Sequence, residues 1–90
     1  MAVEVRIPTI LRTFTGGAKA VQGDGDTLSA VIDDVDSRHP GLKSRLVESA
    51  NLRRFVNVYV NDEDVRFAGG LSAPTSDGDV VVVLPAVAGG

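Results

Sequence analysis

The groups in this sequence best suited to chemistry are its last two residues. Gly89 and Gly90 place a carboxylate on backbone that carries no side chains. Without a Cβ the carbonyl is unhindered, and the backbone can enter a narrow cleft. A free carboxylate is a poor electrophile, because its charge repels nucleophiles and its oxygens are poor leaving groups. Conversion to an acyl-adenylate with ATP removes both obstacles. A sulfur nucleophile can then displace AMP and leave a thiocarboxylate, which stays ionised at neutral pH and can donate its sulfur. At this glycine content two terminal glycines arise by chance in about one chain in 80, so the other residues must decide whether the pair is used.

No rival centre can be assembled from the remaining residues. His39 is the single histidine. It stands beside Pro40-Gly41, where a helix should end, with no partners in a triad pattern. The absence of cysteine removes disulfides, thiolate metal sites and a cysteine nucleophile together. Asp24-Gly25-Asp26 and Asp77-Gly78-Asp79 resemble pieces of calcium loops, but neither continues to an acidic ligand at the twelfth position. They read as turns, and Asp62-Glu63-Asp64 reads as a solvated loop tip. Gly16-Gly17 and Gly69-Gly70 lack the strand-to-helix frame of a phosphate loop. The chain is therefore expected to be a carrier that serves as co-substrate for other enzymes. It is expected to bind no metal and no cofactor itself.

A folded body must hold that end in place. Ninety residues are expected to make one domain over 1–84, followed by a flexible tail over 85–90. The net charge is −3 and the nine Lys and Arg are scattered along the sequence, so there is no basic stripe for nucleic acid. No apolar run approaches the roughly 20 residues of a membrane span, and the start shows no signal-peptide pattern. A cytoplasmic location is expected.

Hydropathy patterning supplies the elements. Val3, Val5 and Ile7 alternate with Glu4 and Arg6, the period of a half-buried strand. Val3–Ile7 and Ala18–Gln22 are read as the arms of a hairpin, with Ile10, Leu11 and Phe14 of the loop covering one end of the core. Residues Gly23 to Asp26 form a turn, and Thr27 stands at a helix N-cap. Leu28, Val31, Ile32 and Val35 then make one apolar stripe. Leu42–Val47 gives one further helical turn, and Glu48–Arg53 is irregular. Phe55–Val60 is a strand, Asn61–Asp64 a tight turn, and Val65–Phe67 a short returning strand. Val80–Leu84 is the most β-prone stretch and belongs in the centre of the sheet, ended by Pro85. The order predicts an α+β, β-grasp (ubiquitin-like) fold: a mixed sheet of four to five strands with one main helix across one face. Because one helix covers one face only, Phe55, Tyr59, Val82 and Leu84 are predicted on the outer face as a candidate partner surface.

Four stretches carry a resemblance to a known family. They are Arg6-Ile7-Pro8-Thr9-Ile10-Leu11-Arg12, Gly25-Asp26-Thr27-Leu28, the run RFVNVYVNDEDVRF from Arg54 to Phe67, and Leu84-Pro85-Ala86-Val87-Ala88-Gly89-Gly90. Together they resemble the ubiquitin-like sulfur carriers, the group containing the small subunit of molybdopterin synthase and the thiamine-pathway carrier. Within that group the chain is most similar to the CysO-type carriers of cysteine biosynthesis. The resemblance implies that Val87, Ala88, Gly89 and Gly90 enter partner enzymes and that Gly90 carries the sulfur. It implies three partners: a ubiquitin-activating-type adenylating enzyme that uses ATP, a pyridoxal-phosphate cysteine synthase acting on O-phosphoserine, and a zinc-dependent peptidase. The alternatives are the molybdopterin synthase small subunit, a ubiquitin-like protein modifier, and a plain interaction module with an idle tail.

Overall fold

The computed structural model describes residues 2–54 and 56–85. Strand β1 (Ala2–Arg6) buries Val3 and Val5 and turns Glu4 and Arg6 outward, as its period-two pattern requires. Pro8 supplies no N–H, and the chain leaves the sheet into a 3-10 helix over Thr9–Thr15. Gly16 ends that helix in the left-handed region at φ 65°. Buried Thr15 is satisfied there, with its hydroxyl 3.1 Å from the Arg12 carbonyl and 2.9 Å from that of Ala18. Leu11 and Phe14 pack on the core, whereas Ile10 is 67% exposed and does not cover it.

Strand β2 (Ala20–Asp24) returns antiparallel to β1, with Val5 opposite Val21 and Ala2 opposite Asp24. It lies two residues later than the predicted arm and runs through Gly23, which sequence patterning assigned to a turn. Close packing explains the difference. A Cβ at Gly23 would sit 2.8 Å from methyl carbons of Val31 and Val35, so glycine here lets the helix press onto the strand.

Helix α1 (Leu28–Arg38) starts as predicted. The Thr27 hydroxyl accepts the Ala30 N–H at 3.2 Å. Leu28, Val31, Ile32 and Val35 are all buried. Arg38 lies in the last turn, where a cation suits the helix dipole, and pairs with Asp34 at 2.7 Å. Helix α2 (Leu42–Leu46) buries Leu42 and Leu46. The stretch expected to be irregular is a small hairpin, β3 (Val47–Glu48) with β4 (Asn51–Leu52). Ser49 and Ala50 make its two-residue turn at φ 53° and 64°.

Strand β5 (Val56–Val60) leads through Asn61 and Asp62, both left-handed at φ 49° and 71°, into β6 (Glu63–Asp64). Two positive-φ residues give the turn whose twist matches a hairpin. Val65–Phe67 is a 3-10 turn rather than a returning strand, because the Asp64 carboxylate accepts the Arg66 N–H at 2.9 Å and caps it. A second 3-10 turn spans Gly70–Ser72. Strand β7 (Val80–Pro85) completes the five-stranded sheet, in the order β2-β1-β7-β5-β6. It runs parallel to β1 and antiparallel to β5. Pro85 is the last residue of the strand, opposite Val56, rather than the residue after it. This is the β-grasp arrangement. The sheet's inner face (Val3, Val5, Val58, Val81 and Val83) buries against the stripe of α1 and against α2.

Candidate functional site

The predicted chemistry lies at the end of β7. Gly90 and the tail residues Val87, Ala88 and Gly89 fall outside the described residues, as does Phe55. The structure does show how the root of that segment is held. Strand β7 is flanked on both sides: Val81 faces Val5 on β1, and Val83 faces Val58 on β5. The parallel ladder to β1 stops at the Arg6–Val82 pair. Beyond it, Pro8 has turned the neighbouring chain away, and β7 continues beside β5 alone to Pro85. Pro85 therefore lies at the end of a central strand, past the last pair with β1.

Two grooves flank Pro85. One is lined by Arg6, Pro8, Arg12, Lys19, Leu84 and Pro85. The other is lined by Leu11, Arg45, Arg53, Arg54, Val56 and Pro85, with Glu48 as its one acid. Ile10 belongs to both. Six of the nine Lys and Arg thus surround Pro85. The cations that are scattered in sequence are gathered by the fold, and no local pattern could have foretold it.

The outer sheet face carries three of the four predicted surface residues. Tyr59 is directly opposite Val82, and both are half-buried. Leu84 is opposite Asn57 and 46% exposed. Arg66, absent from the predicted site, borders this patch. Its guanidinium donates to Asn57 Oδ1 and to the Val56 carbonyl, both at 2.6 Å, and so covers the part of the β5 edge that short β6 leaves open. Phe67, 87% exposed, is a further apolar residue that sequence reading did not single out as a surface.

At the opposite end the acids organise turns. Asp77 accepts the Ala2 N–H at 2.8 Å. Asp79 accepts the Asn61 side-chain amide at 2.9 Å and the Ser76 N–H at 2.8 Å, and these bonds hold its carboxyl below the usual aspartate range. Among the described residues no group of three or more His, Asp or Glu could hold a metal ion. His39 caps α1 through its backbone N–H, bonded to the Val35 carbonyl at 2.9 Å. Among the described residues no helix is long and apolar enough to cross a membrane.

Comparison with known proteins settles the family. The ThiS family profile matches residues 5–90. The chain belongs to this family of ubiquitin-like sulfur carriers. It is 57% identical over 93 aligned residues to sulfur carrier protein CysO of Mycobacterium tuberculosis, covering all of both chains. It is similar to a chain in the crystal structure of the Amycolatopsis orientalis BexX/CysO complex, at 64% identity and a TM-score of 0.95, covering 99% of this chain and 100% of that one. It is also 36% identical to small archaeal modifier protein 3 of Haloferax volcanii, again over all of both chains. The ThiS-family match extends through the Gly-Gly pair.

Proposed function

We propose that this carrier holds sulfur as a thiocarboxylate on Gly90 and delivers it for cysteine biosynthesis from O-phosphoserine. Identity of 57% to a CysO sulfur carrier along the whole chain is the observation that carries this reading. A body whose central strand is paired as far as Pro85, a few residues before the Gly-Gly pair, supports it.

The steps belong to partner enzymes. An adenylating enzyme joins the Gly90 carboxylate to the α-phosphorus of ATP, and pyrophosphate leaves. A sulfide equivalent attacks the carbonyl carbon, and AMP leaves. In a pyridoxal-phosphate synthase the thiocarboxylate sulfur bonds to the β-carbon derived from O-phosphoserine, whose phosphate leaves. The acyl group then moves from sulfur to the amino nitrogen, so that cysteine is joined to Gly90 by a peptide bond. A zinc-dependent peptidase hydrolyses that bond and returns the carboxylate. This chain contributes reach and access: Ala86–Gly90 spans about 15–18 Å when extended, enough to carry the terminal carbonyl into an enzyme interior. ATP, pyridoxal phosphate and zinc serve the partners, and the cytoplasm is the compartment in which they would meet. Tyr59, Val82 and Leu84 form the apolar face offered to them.

Deletion of Gly90 tests the reading. The variant should melt with the wild type, yet form no thiocarboxylate and support no cysteine synthesis. Undiminished sulfur delivery by the deletion variant contradicts it. The 36% identity to an archaeal modifier protein favours a second reading, in which Gly90 is joined to lysines of target proteins. Conjugates in the source cell that carry a Gly90–lysine bond would identify it.

A further inference from the structure

We infer that the basic collar around Pro85 is the docking surface for an acidic rim at the mouth of the channel in the adenylating enzyme. This inference rests on the tail-donation reading above and adds the partner's surface chemistry to it.

The collar is strongly uncompensated. Arg6 pairs with Glu4 at 2.7 Å, and Arg53 lies 3.5 Å from Glu48. Arg12 donates to the neutral carbonyl of Ile7 at 3.0 Å, and the Arg45 guanidinium lies 5.4 Å from the centre of the Phe14 ring. Lys19 and Arg54 are exposed, and neither side chain has a hydrogen-bond or ion-pair partner among the described residues. Six cations against two paired carboxylates leave an excess of four positive charges. In a chain whose net charge is −3, this is a polarised distribution. Asp24, Asp77 and Asp79 sit where β1 and β7 begin, with Asp62 beside Asn61, which binds Asp79. Strand β7, about 20 Å long at ~3.3 Å per residue, separates the two poles. The positive pole lies at the Pro85 end of β7.

Distance decides what the collar meets. The field of exposed charges decays over about 8 Å at physiological ionic strength. The terminal carbonyl can extend about 15–18 Å beyond Pro85, roughly two such lengths, so the collar contributes little to nucleotide or pyrophosphate at the reacting centre. It meets the protein surface that surrounds the incoming tail. Complementary charge there orients the encounter so that the tail arrives first. Ile10, 67% exposed and lining both grooves, supplies the apolar contact at the middle of the collar.

The test is steady-state pyrophosphate release by the adenylating enzyme of the source organism, with the full-length carrier as varied substrate. Lys19→Glu combined with Arg54→Glu should raise KM about tenfold or more and leave kcat unchanged, since charge at an interface rim acts mainly on association. Added salt should raise the wild-type KM and have little effect on that of the double variant. Lys19→Gln with Arg54→Gln, which introduces no new charge, should show a smaller rise in the same direction. Ser76→Glu, which adds negative charge at the far pole, should leave KM within about twofold. All four proteins should melt within a few degrees of one another, because the Lys19 and Arg54 side chains make no hydrogen bond or ion pair among the described residues and Ser76 bonds Asp79 through its backbone N–H. An unchanged KM in the double reversal, with Gly90 deletion still abolishing turnover, overturns the collar and leaves tail donation standing. Turnover that survives Gly90 deletion overturns the tail reading instead.

Discussion

Replacing Gly23 with alanine tests how the helix is seated on the sheet. The new methyl would lie 2.8 Å from Cγ1 of Val31 and Cγ2 of Val35, and 3.2 Å from the Val31 carbonyl oxygen. Both valines are buried, at 0% and 2% exposure, and β-branched side chains in a helix have essentially one χ1 rotamer. The strain must therefore be relieved by moving α1 away from β2. Overpacking of this kind costs about 1–3 kcal/mol, against a gain of about 0.4–1 kcal/mol from the less flexible unfolded chain. The net loss is about 0.5–2 kcal/mol, which lowers the melting temperature by a few degrees to about 15 °C at ~4–8 °C per kcal/mol for a domain of this size. Thermal and urea unfolding of Gly23→Ala measure it. Adding Val35→Ala opens space for the methyl, so the pair should cost less than the sum of the singles by about 0.5–2 kcal/mol. A Gly23→Ala protein that melts with or above the wild type would refute the close-contact account of why β2 contains a glycine.

Three further outcomes follow from the site. Arg66→Ala removes the guanidinium bonds to Asn57 and Val56 and should cost about 1–2 kcal/mol, seen as a lower urea midpoint; an unchanged midpoint would show that the edge does not need them. Tyr59→Ala should leave the fold intact and weaken binding to the adenylating enzyme by roughly 1–3 kcal/mol if the outer face is a hot spot; calorimetry showing equal affinity would retire that surface. Asp79 is held below the ordinary aspartate range first by the Asn61 amide and then by the Ser76 N–H. Its contribution to stability is therefore present above the unfolded pKa and lost as pH falls through the lower folded value. Asn61→Gly, which keeps the left-handed backbone but removes the amide, should raise the Asp79 pKa toward the ordinary value in an NMR titration; an unmoved pKa would contradict the assigned cause.

Elements with a strong period were legible in the sequence. The stripe Leu28, Val31, Ile32, Val35 and the cap at Thr27 placed α1, and alternation placed β1, the described part of β5, and the inward face of β7. What escaped depended on contacts distant in sequence or on unusual backbone. Gly23 looks like a turn residue until α1 is seen against it. Ser49 and Ala50 adopt positive φ without the Gly or Asn that normally announces such a turn. Val65 and Phe67 suggest a strand by spacing, yet Val65 is fully buried and Phe67 is 87% exposed, because the Asp64 cap winds the segment into a 3-10 turn. The family was legible because the Gly-Gly pair and the run from Arg54 to Phe67 are local features of the sequence. The basic collar was not, since its six cations come from four separate stretches of the chain.

Intact-mass measurement of the protein isolated from its own cells tests the central claim most directly. Exchange of one oxygen for sulfur at Gly90 adds about 16 Da, and fragmentation should place that increment on the last residue. The account predicts this species together with a cysteine adduct at Gly90. A terminus that is always a plain carboxylate, in cells actively making cysteine, would contradict it.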